Sequence, residues 1–137
     1  MSIHQEFADA ILSGEKTVEF RKRPVAPDVT HVVIYVTQPV SAIVGIFEVR
    51  RQVTESPARL WRRFGKVAGI SRQRFFQYYH GRTCGTGIEV ARVQPLETPL
   101  TLSGLGLTRP PQSYQYLDAR QSSVAMSGTS PQQAVAS

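Results

Sequence analysis

The chain has 137 residues with 16 Lys and Arg against 10 Asp and Glu, a formal charge of +6, and a hydrophobic fraction of 41%, which fits one water-soluble domain with a single core. No apolar run approaches the roughly 20 residues needed to cross a bilayer. The single Cys84 excludes an internal disulfide, and His4, His31 and His80 are too scattered for a structural zinc site. The opening "MSIHQEFADAIL" has no basic leader and carries Glu6 and Asp9, so it does not read as a signal peptide. These features suit a reducing cytoplasm, and no metal or cofactor is expected. The basic balance, with a sequence pI of about 10.0, favours an anionic partner. RNA or a nucleotide leads, and DNA remains open.

Ser2-Ile3-His4-Gln5 has the spacing of a capping box. Ile3, Phe7, Ala10 and Ile11 recur behind it at helical spacing, so a short amphipathic helix is predicted over residues 3–13, closed by Gly14. The period then changes to two. Val18 and Phe20 point one way, while Thr17, Glu19 and Arg21 point the other. Pro24 and Pro27 end that strand. "HVVIYV" (31–36) reads as a buried strand and "SAIVGIFEVRR" (41–51) as a second, with a bulge or close backbone approach at Gly45.

Ser56 before Pro57 signals a helix start, with Leu60 and Phe64 facing inward. Ser71 caps a second helix, "RQRFFQYYH", closed by Gly81, in which Phe75 and Tyr79 are buried. "TGIEVARV" (86–93) alternates as a returning strand. "PLETPLTLSGLGL" reads as turn-rich, and "PPQSYQYL" (110–117) as one helical turn. From 119 the chain is rich in Ser, Gln, Ala and Gly, without periodicity, and reads as a disordered tail over 119–137 behind a domain of residues 1–118. The three middle strands follow too closely for helical crossovers. The expected class is therefore α+β: a mixed, largely antiparallel sheet curled into a small barrel, with short helices packed at its ends.

Three groups of polar residues are candidates for a site. Lys16, Thr17, Glu19 and Arg21 cluster at the first strand. A carboxylate beside a guanidinium stays ionised and accepts hydrogen bonds from a base amine, while the guanidinium offers a forked pair of donors to phosphate. The plainer alternative is a solvent-facing strand with a weak ion pair, worth roughly 0–1 kcal/mol. Thr37 and Gln38 end the buried strand, where they can read a base edge or simply make a turn. Arg59, Arg62, Arg63 and Lys66 fall at i, i+3, i+4 and i+7 and form a basic stripe suited to a phosphate backbone, or a solvated helix face.

"ILSGEKTVEFRKR", "VVIYVTQPVSAIVGIFEV" and "GISRQRFFQYYHGRTCGTGIEV" together resemble the ASCH family of the PUA-like superfamily. Its G-x-K-T-x-E-x-R pattern is met here by Gly14, Lys16, Thr17, Glu19 and Arg21, and the resemblance covers roughly residues 1–118. It implies a PUA-like pseudo-barrel whose cleft is lined by the opening motif, and a role in recognising RNA or modified nucleosides. Some members are enzymes, ribonuclease-like or amidohydrolases of acylated cytidine; others are regulatory binding modules. Lys16 matches the lysine of the amidohydrolase branch. The position of that branch's functional threonine holds Glu19, and its distant glutamate is met by type in Glu48, Glu55 or Glu89. The leading expectation is an RNA or modified-nucleotide binding module. The alternatives are a small hydrolase using Lys16 as its catalytic group, and a module that meets an acidic protein through its basic helix.

Overall fold

The protein is described here over residues 1–101 of a computed structural model. The elements in order are β1 (Ser2–Ile3), α1 (Gln5–Ser13), β2 (Val18–Arg21), β3 (His31–Val36), β4 (Ala42–Glu55), α2 (Pro57–Phe64), a 3-10 turn (Gly65–Val67), α3 (Arg72–Tyr78) and β5 (Gly85–Leu100). The readings of residues 102–137, including the helical turn at 110–117, the boundary at 118 and the tail, lie outside the described residues.

The strands form one five-stranded sheet in the order β1-β3-β4-β5-β2. Among the described residues only the β1–β3 pairing is parallel. The α+β class and the largely antiparallel sheet match expectation, but the sheet is not closed into a barrel. Its outer members, β1 and β2, have two and four residues, too little backbone to join the edges into a ring.

Ser2 and Ile3 pair with Tyr35 and Val36, which buries Ile3 and displaces the expected capping box. Helix α1 therefore starts at Gln5, behind a His4 cap that makes no side-chain bond. Gly14 closes it in the left-handed conformation, φ 87. Helix α1 buries Ala8 and Ile11 in a core shared with Ile3, Ile34, Phe47 and Ile88. A second core gathers Val18 and Phe20 of β2 with Leu60, Phe64, Phe75 and Tyr79. Ser56 and Ser71 accept from Arg59 N and Arg74 N, the helix caps that the sequence predicts.

Strand β4 shifts register between Ile43 and Gly45, where the sequence predicts a bulge. The strand expected over 86–93 runs on to Leu100, through Pro95 and Pro99, so its second half is not the turn-rich segment expected. Pro95 stands opposite Gly45, beside that register shift, where a missing ladder N–H is tolerated.

Candidate functional site

The chain enters β2 through a short, tightly fixed approach. Lys16 N donates to Ala10 O at 3.0 Å and Thr17 N to Val67 O at 3.1 Å, while Thr17 O accepts from Val90 N at 2.9 Å. Three elements thus fix the backbone on which Lys16 stands, and its side chain turns inward. Lys16 is 2% exposed and Glu19 6%. The Lys16 ammonium donates to Ala68 O and lies 5.3 Å and 5.1 Å from the ring centroids of Phe7 and Phe20. It is 3.9 Å from Glu19 Oε1, and Arg21 Nη1 is 3.5 Å from Glu19 Oε2. Lys16, Glu19 and Arg21 therefore meet as the sequence pattern suggests. They do so inside the protein, not as an exposed strand-face pair.

Two features close the cluster. Gly69 crosses the stem of Lys16 at φ +60, and a Cβ there would come within 2.7 Å of Lys16 Cβ. On the other side, the Tyr79 hydroxyl donates to Arg21 O at 2.8 Å and approaches Thr86 O at 3.4 Å. It reaches them because the Tyr79 ring lies against Gly85, where a Cβ would sit 2.2 Å from Cε1.

Burial pushes the Lys16 ammonium below its usual pKa, opposed by the Glu19 charge. Burial likewise pushes the Glu19 carboxyl up, opposed by Lys16 and Arg21 and by hydrogen bonds from Arg21 and the Phe20 backbone. Desolvation also raises the Tyr79 phenol. The side chain of Arg21 is the most open of the three, 14% exposed. Chemically the cluster is a carboxylate held between two cations, with the guanidinium as its most exposed member.

Thr37 and Gln38 do not join this cluster. They line a cleft with His4, Gln5, Glu6, Asp9 and Arg74. The link between cleft and cluster is Phe7, whose ring carries Lys16 and also Arg74, 4.9 Å from its centroid. Arg74 is paired with Glu6 at 2.8 Å. Arg59, Arg62, Arg63 and Lys66 are all exposed, but the stripe differs from expectation in one respect. Helix α2 ends at Phe64, so Lys66 stands in the 3-10 turn. Arg59 is paired with Glu55 at 3.6 Å.

The sequence reading missed Phe7 and Ala68 as neighbours of Lys16, and the hydroxyl of Tyr79 as the tether of Arg21. Tyr79 carried a usable signal. A tyrosine on the buried face of a helix must find a partner for its hydroxyl.

The ASCH domain model matches residues 1–99. The chain belongs to the ASCH domain family. An ASCH domain-containing ribonuclease of Zymomonas mobilis is 35% identical over 135 residues, covering 95% of this chain and 90% of that protein. The crystal structure of ASCH from Zymomonas mobilis superposes with a TM-score of 0.87 at 34% identity, covering 95% of this chain and 94% of that one. The chain is also similar to a large ribosomal subunit protein uL22 of Ureaplasma parvum, 29% identical over 103 residues, 75% of this chain but 33% of that protein. Among the described residues no helix is long and apolar enough to cross a membrane.

Proposed function

We propose that this ASCH protein binds RNA and cleaves it, with the Lys16–Glu19–Arg21 cluster as its polar centre. The observation that carries this reading is the burial of Lys16 and Glu19 to within 2% and 6% exposure. Removing two charges from water costs several kcal/mol each, and buried charged clusters of this kind concentrate at functional sites. The ribonuclease named among the relatives, similar over nearly its whole length, supports RNA cleavage over removal of an acyl group from cytidine.

In this reading Arg21 meets the scissile phosphate with its paired donors and offsets the charge that develops on the phosphate oxygens. Glu19 holds the guanidinium in place. Lys16, enclosed behind Glu19, is the candidate catalytic group only through that carboxylate, whose charge and position it holds. Thr17 belongs to the same wall through its fixed backbone. Thr37 and Gln38, in the neighbouring cleft, read an adjoining base. Arg59, Arg62, Arg63 and Lys66 hold the phosphate backbone without regard to sequence.

The test is cleavage of an end-labelled single-stranded RNA, followed beside turnover of acylated cytidine. Cleavage by the wild-type protein that is lost in Arg21→Lys and Lys16→Met supports the reading. Turnover of acylated cytidine with RNA left intact overturns it in favour of the amidohydrolase. Salt-sensitive binding without any cleavage overturns the catalytic half and leaves a binding module.

A further inference from the structure

Beside the cluster, α3 ends in an exposed aromatic ring set among cations. Tyr78 is 37% exposed, one of only three large apolar side chains open to solvent among the described residues. Its ring packs edge-on against Tyr79, with centroids 4.9 Å apart and planes at 67°. Tyr79 in turn is tied to Arg21 O. The Lys22 ammonium lies over the Tyr78 ring, 5.1 Å from its centroid. Arg82 closes the same corner by donating from Nη2 to Lys22 O at 2.9 Å. Burial pushes the Tyr78 hydroxyl above its usual pKa, as does the Glu19 charge, against the charges of Arg21 and Arg82 and a hydrogen bond with the Lys22 backbone.

We propose that Tyr78 is a stacking platform for one base of single-stranded RNA, with Lys22 and Arg82 holding the phosphate beside it. This inference rests on the RNA reading above and names where the strand leaves the cluster. Three observations carry it. The ring is held from one side by a tethered neighbour, so its position is set before a ligand arrives. Its exposed contact is with a flexible surface ammonium, and such a cation–π pair is weak in water. A phosphate draws the ammonium to itself and leaves an aromatic face for a base, and stacking on it is indifferent to sequence because every base has a π-face. The neighbours Lys22 and Arg82 are cationic, and Glu19, whose charge also reaches this corner, is buried between Lys16 and Arg21.

Duplex RNA offers no free base face, so the platform also selects single strands. The experiment measures binding of a fluorescent single-stranded RNA, and of a duplex of equal length, by anisotropy across a range of salt. Tyr78→Leu is expected to weaken single-strand binding about 5- to 150-fold, the range of a base–aromatic stack, with an unchanged salt slope. Tyr78→Phe should retain wild-type affinity, since it keeps the ring. Lys22→Ala should reduce the log–log salt slope by about 0.7, one phosphate contact on a single strand, and duplex binding should be indifferent to Tyr78→Leu. If wild-type protein binds RNA but Tyr78→Leu binds it equally well, the platform is overturned and the RNA reading stands. A Tyr78→Phe variant as weak as Tyr78→Leu also overturns it, because the hydroxyl and not the ring would then be the contact. Wild-type protein that binds no RNA at low salt overturns the parent reading, and the platform with it.

Discussion

Replacing Glu19 by Gln keeps the shape of the side chain and removes its charge. The Lys16 ammonium, 2% exposed, then has Ala68 O and two aromatic rings for company but no counter-charge. Breaking a buried ion pair from one side costs about 3–5 kcal/mol. A second route bounds the loss. Lys16 can shed its proton in the folded variant, and at pH 7 doing so costs about 5 kcal/mol, from 3.5 units below an ordinary pKa near 10.5 at about 1.36 kcal/mol per unit. The two estimates agree, so Glu19→Gln should lose about 3–5 kcal/mol at pH 7. The pH dependence identifies the cause. A lysine with a depressed folded pKa binds fewer protons in the native than in the unfolded state, so stability rises with pH up to about 10.5. Wild-type Lys16 gives this sign weakly, because Glu19 opposes the shift. In Glu19→Gln the rise should steepen toward about 1.4 kcal/mol per pH unit. Urea unfolding at pH 7 and pH 9 reads both effects, and Lys16→Met combined with Glu19→Gln should recover much of the loss, because no unpaired charge is left inside. A Glu19→Gln protein within 0.5 kcal/mol of wild type, with the wild-type pH slope, would refute the reasoning.

Gly69→Ala forces a side chain into a left-handed position and against the Lys16 stem; it should cost at least about 1–2 kcal/mol, read as a lower urea midpoint, and an unchanged midpoint would mean that the turn yields freely. Tyr79→Phe removes the hydroxyl that holds Arg21 O and should cost about 0.5–1.5 kcal/mol of stability, with a larger fractional loss of RNA cleavage than of thermal stability. Ser56→Ala and Ser71→Ala each remove a helix cap; each should cost about 1 kcal/mol, with effects that add in the double variant by thermal melting. Alanine at Arg59, Arg62 and Arg63 together should leave the melting temperature nearly unchanged while flattening the salt dependence of RNA binding for every sequence tested; an unchanged slope would favour an acidic protein as the partner of α2.

Local signals in the sequence were read well because local physics decides them. Ser56, Ser71 and Gly14 bound their helices, the runs 31–36 and 41–51 became β3 and the first part of β4, and Phe75 and Tyr79 turned inward as their spacing required. The failures are places where a distant partner decides. Ser2 and Ile3 satisfy their backbone on β3, not in a capping box. Pro95 is carried inside β5 by a register shift on β4. Glu19 alternates onto the polar side of β2 as expected, but alternation cannot tell what covers that side. The cover over the neighbouring Lys16 comes from Ala68 and Gly69, more than fifty positions away in sequence. The plainer alternative of an exposed, weak ion pair therefore does not hold: Lys16 and Glu19 are buried. Thr37 and Gln38 stand apart from Lys16 for a similar reason: the end of β3 opens beside α1, in a cleft with His4, Gln5, Glu6, Asp9 and Arg74, on the far side of Phe7.

The pairing of β2 with β5 has a consequence for the order of assembly. Val18 and Arg21 stand opposite Glu89 and Thr86, so β2 finds its strand neighbour among the described residues after both intervening strands, α2, the 3-10 turn and α3 have been made. Loop closure over such a span is slow compared with local helix formation. On the ribosome, Lys16, Glu19 and Arg21 emerge early, and β2 stays unpaired until β5 arrives. Their charge keeps this stretch hydrated, and the energetic cost of enclosing them falls after Ala68, Gly69 and β5 have been made. Pulse-labelled hydrogen exchange should find the Val90 amide, which bonds Thr17 O, among the latest to become protected. Early protection of that amide would place the closing of the cluster ahead of the rest of the sheet.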